Sequence, residues 1–182
     1  MSQKLHDREH VSKRLEEAFI SFIKKDYVGS LLNFFTALDN TSALRRPEFA
    51  GKRFVGRRIQ AFVSDYEDLI TRMALGNTFI GLNIDGWTLP RVIYELARNP
   101  ITHEGKLDDR LEINETGQFS ISATSWNIST NILFALLMTV VLAEENKSLK
   151  FSKDLNLIIN GEKRTINELW GHEAEIRAKL MP

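Results

Sequence analysis

A chain of 182 residues, 43% of them hydrophobic, with ten glycines, four prolines and no cysteine, has the length of one globular domain and buries a core without covalent staples. Its 24 Lys+Arg balance 24 Asp+Glu, which together with the high Ile, Leu and Phe content excludes intrinsic disorder. The same balance argues against a broad phosphate-binding clamp, whose affinity comes from excess positive charge. The lack of cysteine removes disulfide frameworks and thiolate chemistry.

The first residues, MSQKLHDREHVSKRLEEAF, are charged throughout, so no secretory signal fits and a cytoplasmic location is expected. Val11, Leu15, Ala18, Phe19, Phe22 and Ile23 recur in steps of three and four, which predicts an amphipathic helix over Val11 to Tyr27. Gly29-Ser30 interrupts the pattern. Leu31 to Leu38 then predicts a short apolar helix before the turn-prone Asp39-Asn40-Thr41-Ser42, and Pro47 falls in a loop. Val55, Ile59, Phe62, Tyr66, Leu69 and Met73, widened by Val63 and Ile70, predict one long bundle helix over Arg53 to Leu75 that stops at Gly76-Asn77.

After a Gly-broken segment, Thr78 to Gly86, a helix is expected from Trp87 to about Arg98. Thr88 would cap it, Pro90 would sit in its first turn and Trp87 would staple onto Val92. Leu111, Ile113, Phe119 and Ile121 alternate with polar residues about Asn114-Glu115-Thr116-Gly117, the pattern of a β-hairpin. Ile128 to Glu145 follows as a helix. Its stretch Ile132 to Ala143 is apolar on every side, so it belongs in a core, being short of the roughly twenty residues that a bilayer crossing needs. Asn160-Gly161 predicts a type I′ hairpin between Leu157-Ile158-Ile159 and Lys163 to Ile166. Thr165 and Glu168 have capping-box spacing for a last helix ending near Leu180. The chain is therefore expected to be mainly α and a single domain over 1–182. It would be a helical bundle over about 10–145 with two small β-hairpins toward the C-terminus, the second forming, with the last helix, a peripheral unit over about 147–182.

Of the four histidines, His6 and His10 lie in His6-Asp7-Arg8-Glu9-His10, which has Asp where a zinc-binding HExxH needs Glu. No metal is expected there. His172 fits a surface position. His103 stands in Tyr94-Glu95-Leu96-Ala97-Arg98-Asn99-Pro100-Ile101-Thr102-His103-Glu104-Gly105-Lys106. Pro100 should end the preceding helix near Arg98 and leave Asn99 to cap a new turn. A helix N-terminus beside an arginine, with an imidazole one turn on, suits a phosphate. Arginine grips its oxygens in a fork, and imidazole gains and loses a proton near neutral pH.

Arg98, the polar Asn99 and, after four intervening residues, His103 resemble the R-x4-6-H motif of the HEPN superfamily, and Leu96 to Gly105 resembles the "R…HEG" segment of bacterial HEPN-like proteins. That resemblance covers about residues 10 to 145. It implies an up-and-down bundle of four or five helices, frequently homodimeric and often a metal-independent endoribonuclease of toxin-antitoxin, phage-defence or RNA-processing systems. The motifs of two subunits would meet in a composite site, with Arg98 and His103 catalytic and Asn99 assisting, RNA as substrate, an antitoxin protein as a partner and no cofactor. RNA would be cut by its own 2′-hydroxyl, a reaction that needs a proton acceptor, a proton donor and positive charge on the phosphate. One histidine per chain does one proton job, and a symmetric dimer supplies two.

Arg91, two helical turns before Arg98, and Lys106 and Arg110 after it are candidate nucleic-acid contacts, partly cancelled by Asp108 and Asp109. Lys52, Arg53, Arg57 and Arg58 form a second basic cluster that a solvated helix face also explains. Trp87, Trp126 and Trp170 fit core or staple positions better than base-stacking ones. Two alternatives stay open: Arg98 paired with Glu95 or Glu104 and His103 capping a carbonyl, and a non-catalytic bundle that binds a nucleotide, RNA or a protein partner.

Overall fold

The computed structural model describes residues 2–49, 51–122, 124–159 and 161–181, with side chains from residue 9 onward except at 159. The chain is mainly helical with small β-sheets. α1 (Ser2–Ile23) and α2 (Tyr27–Arg45) form a helical hairpin. Val11, Leu15, Ala18 and Phe19 are buried as the periodicity requires, while Ile23, at the end of that stripe, is 64% exposed. α2 starts earlier than expected because the Asp26 carboxylate accepts the Gly29 N–H at 2.9 Å and caps it. It also runs straight through Asp39 to Ser42, where a turn is expected. There Asn40 Nδ2, Thr41 Oγ1 and Ser42 Oγ donate to the carbonyls of Thr36, Ala37 and Asp39 at 3.0, 2.9 and 3.0 Å, so turn-forming side chains are satisfied inside the helix.

The helix expected over 53–75 is two: α3 (Val55–Asp65) and α4 (Glu67–Leu75), broken at Tyr66, whose φ and ψ are −111° and 4°. The apolar stripe continues across the break, with Ile59, Phe62, Tyr66, Leu69 and Ile70 fully buried. Gly76, at φ +71°, ends α4 as expected. β1 (Asn83–Ile84) and β2 (Trp87–Thr88) then pair through Asp85-Gly86, both at positive φ, a small hairpin that the Asp-Gly pair signals and the Gly-broken segment hides. α5 (Leu89–Val92), a π-helical turn (Ile93–Arg98) and α6 (Asn99–Glu104) follow without interruption.

The hairpin expected about Asn114 to Gly117 does not form. β3 (Leu111–Asn114) and β4 (Ser120–Ile121) lie on either side of β5 (Trp126–Ser129), which is parallel to β3 and antiparallel to β4. Trp126 and Ile128, two apart and both buried, make this stretch a strand with one face on the core, where its Ile128 end was expected to be helical. α7 (Thr130–Leu142) comes next, with Ile132, Leu133 and every residue from Ala135 to Leu142 buried. It packs against α1, α2, α4 and α8 (Glu173–Leu180). No helix among the described residues is long and apolar enough to cross a membrane.

β6 (Asn156–Ile159) and β7 (Glu162–Thr165) pair in the expected antiparallel hairpin. Gly161 in its turn has φ +80°, and Asn160 lies outside the described residues. The Thr165–Glu168 capping box forms, but it caps a 3₁₀ turn, Ile166–Glu168, ahead of α8. Gly171 connects the two. A Cβ there would stand 2.6 Å from Lys147 Cα, and its N–H donates to Val141 O on α7 at 3.0 Å, so only glycine permits this approach. Leu149, Phe151, Ile166, Leu169, Trp170 and Ile176 are buried in the same core as the bundle. The segment expected at the periphery thus helps to enclose α7.

A polar network ties α8 to the break at Tyr66. The Tyr66 hydroxyl donates to Glu173 Oε2 at 2.5 Å and accepts from Arg45 Nη1 at 2.7 Å. Arg45 also pairs with Glu173 at 3.0 Å and Asp65 at 3.4 Å, and Arg177 donates to Glu173 at 2.9 Å and Asp68 at 2.7 Å. The guanidiniums of Arg45 and Arg177 lie 4.7 and 5.3 Å from the Tyr66 ring centroid. Burial alone would raise the Glu173 carboxyl, but hydrogen bonds from Arg45, Tyr66 and Arg177 outweigh it and hold it below its ordinary value of 4.5. A carboxylate depressed in this way adds stability above its unfolded value and loses it as pH falls through the folded one. Thermal melts should therefore fall as pH drops below 4.5. Glu173→Gln should lower stability at pH 7 by about 2 kcal/mol and flatten that acid limb.

Burial acts the other way at Glu67, 2% exposed, whose carboxyl it pushes upward despite hydrogen bonds from the Gly81 and Leu82 backbone. Glu67 Oε2 accepts the Gly81 N–H at 2.9 Å, whereas Oε1 is buried with no partner. A raised carboxyl binds its proton more tightly in the folded chain, so its ionised form costs stability at neutral pH and that cost fades on acidification. Glu67→Gln keeps the acceptor for Gly81 and should stabilise the protein at pH 7 by up to about 1 kcal/mol. Paired melts of wild type and variant should converge toward pH 4.

Candidate functional site

The motif segment is built differently from its local sequence signals. Thr88 caps α5, its Oγ1 accepting the Arg91 N–H at 3.4 Å, and Pro90 sits in the first turn as expected. The helix does not stop before Pro100. It widens into the π turn over Ile93–Arg98, where the Asn99 N–H donates to Tyr94 O, five residues back. A proline inside a helix crowds the carbonyl of the preceding turn and lacks the N–H that residue would receive, and a wider turn makes room for the ring. In an α-helix the orphan would be Leu96 O, and here the Asp108 N–H donates to it at 3.0 Å from the following loop.

The phosphate cradle expected from a free helix N-terminus is therefore corrected. Asn99 has helical φ and ψ of −63° and −52°, its N–H is engaged, and it caps nothing. What remains is side-chain chemistry. Arg98 is half-buried, with Nη1 donating to Asn99 Oδ1 at 3.2 Å and its guanidinium 5.7 Å from the Tyr94 ring centroid. Among the described residues no carboxylate pairs with Arg98. Glu95, a candidate partner, is held by Arg91 at 3.0 Å. His103 is exposed on α6 and its imidazole makes no hydrogen bond among the described residues. Gly105, at φ +73°, closes the helix by donating to Ile101 O.

The five positions from Arg98 to His103 turn the helix by about 140° at 3.6 residues per turn, so the two side chains leave it in divergent directions. Arg91 and Arg110 are brought together at Trp87, their guanidiniums 4.3 and 4.9 Å from its centroid. Each also has its own carboxylate: Arg91 with Glu95, and Arg110 with Asp108 at 2.8 Å. Arg110 hydrogen bonds hold the Asp108 carboxyl down to about 2. Lys106 lies 3.8 Å from Asp109.

The second basic cluster divides. Arg58 is buried and bound to Asp39 at 2.6 Å and to the carbonyls of Phe49 and Gly51, while Arg53 and Arg57 flank the Phe54 ring. Trp126 and Trp170 are core residues and Trp87 is half-buried. Of the possible metal pair, the His6 side chain lies outside the described residues. Among those that are described, no three His, Asp or Glu side chains gather as metal ligands. His172 meets Glu175 at 2.8 Å just before α8.

Two positions around the motif escape local reading. Tyr94, one turn before Arg98, carries the ring beside which the guanidinium rests, a spacing visible in the sequence. Gly56 of α3 permits that ring its place, since a Cβ there would stand 2.8 Å from Tyr94 ring carbons. The chain matches the Rv1289 family over residues 10–181. No curated protein and no solved structure matches it. Gly56→Ala should displace the Tyr94 ring at an overpacking cost of about 1–3 kcal/mol, which outweighs the gain of about 1 kcal/mol in helix propensity. Urea denaturation should show a net destabilisation, and a Tyr94→Leu background should relieve it.

Proposed function

The chain belongs to the Rv1289 family over residues 10–181, and we propose that it is a HEPN-like bundle acting as a metal-independent endoribonuclease across a homodimer. The observation that carries this is the pairing state of the motif: Arg98 faces no carboxylate and the His103 imidazole no hydrogen-bond partner among the described residues, although the neighbouring Arg91, Lys106 and Arg110 are each held by a carboxylate. Arg98 would balance charge on the phosphate, with Asn99 Oδ1 steadying its guanidinium, and His103 would move the proton. The divergence of the two side chains around one helix suits a composite site, in which Arg98 of one subunit works with His103 of the other. The HEPN resemblance extends the proposal to a toxin or phage-defence role with an antitoxin as partner.

A second reading, a non-catalytic bundle that binds RNA or a protein partner, is favoured by the in-chain carboxylates that already hold Arg91, Lys106 and Arg110. The deciding measurement combines solution sizing with cleavage of single-stranded RNA in EDTA. Wild type should be a dimer that cuts RNA, and Arg98→Ala and His103→Ala should each lose at least about 100-fold in rate while remaining dimeric. Cleavage unchanged in His103→Ala would falsify the assignment. A dimer that binds RNA without cutting it would decide for the second reading.

A further inference from the structure

Between α4, α7, α8 and β6 the packing leaves a cleft of about 710 Å³, within the range of about 300–1,000 Å³ typical of small-molecule pockets. Arg98 and His103 do not line it, so it is independent of the ribonuclease reading. Its walls include Met73, Phe134, Met138, Leu142 and Ile176, and Ile158, 79% exposed, also lines it. Of the α7 residues in that wall, Phe134 is half-buried and opens onto the cleft, while Met138 and Leu142 are buried. The two methionines in the wall are unbranched and adapt to guests of irregular shape.

The charges on the lining decide what kind of guest fits. Lys179 is neutralised by Glu175 at 3.0 Å, with Glu162 at 3.9 Å. Arg72 is not. Its Nε donates to Leu180 O at 2.7 Å and Nη1 to Gly76 O at 2.6 Å, both neutral carbonyls, and among the described residues no carboxylate pairs with it. One guanidinium with no carboxylate among the described residues thus borders a cleft whose other charged wall residue, Lys179, is neutralised, with Nη2 free of either bond. We propose that this cleft binds a free single-chain alkyl carboxylate, its chain against Met73, Phe134 and Ile158 and its head group on Arg72. The charge-assisted hydrogen bond to Arg72 selects an anion, and the apolar wall selects a chain.

Titrating the full chain with dodecanoate below its micellar concentration, followed by calorimetry, should give saturable one-to-one binding. Arg72→Gln should weaken dodecanoate at least about tenfold and leave dodecanol unchanged. Ile158→Glu, at an exposed position that the fold does not depend on, should weaken dodecanoate by a similar factor with no change in melting temperature. Four results would overturn the proposal: no saturable binding, affinity unaltered by both variants, equal affinity for dodecyltrimethylammonium, or binding to phosphatidylglycerol vesicles without binding of free dodecanoate.

Discussion

A helix with no polar face has to be covered on every side, and α7 is such a helix. Burying a Leu, Ile or Val is worth about 1.5–3 kcal/mol, so a run of such residues outweighs local preferences elsewhere in the chain. α1, α2 and α4 close most of its circumference, and α8 and the residues leading into it supply the rest. β5 leads directly into α7, which draws the three-stranded sheet onto the same core and places Trp126 and Ile128 against it. The C-terminal third of the chain belongs with the helices before it because α7 leaves it no alternative.

Bringing a charged helix onto that core creates a polar problem, solved at Tyr66. The break between α3 and α4 keeps the ring buried while its hydroxyl reaches Glu173. Arg45, in the last turn of α2, and Arg177, in the last turn of α8, complete the arrangement, each placed where a cation also meets the negative end of its own helix. Helix ends, an interrupted helix and the ion pairs of Arg45 and Arg177 thus meet at one point. The network specifies how α8 docks, whereas the apolar contacts supply most of the drive to dock at all.

How much of this was legible follows the range of the forces involved. The stripes of α1, α3, α4 and α7, the Asn160-Gly161 hairpin signal and the Thr165–Glu168 box are written within a few neighbouring residues and appear where expected. The early start of α2 depends on one carboxylate, Asp26, three residues from the N–H it caps. The placement of β5 between β3 and β4 rests on pairing across 15 residues to β3 and on burial, which alternation alone does not encode. Arg98 and His103 were legible as a motif, but their backbone was not, since the Leu96 carbonyl finds its donor in Asp108. The charge of Arg72, without a carboxylate among the described residues, belongs to the same class. It is a property of what three distant elements fail to fill or pair.

The π turn has a consequence for how the chain tolerates change in length. Such a turn holds one more residue than the α-helical turn it replaces, so removing a single residue from Ile93–Arg98 would return the backbone to α spacing. The extra residue is what the wide turn takes up, so α6 would keep roughly its direction, and the cost would fall on Pro100, whose ring would meet the carbonyl of the preceding turn. The length of this segment is thus a setting of its own, distinct from the identity of any residue in it.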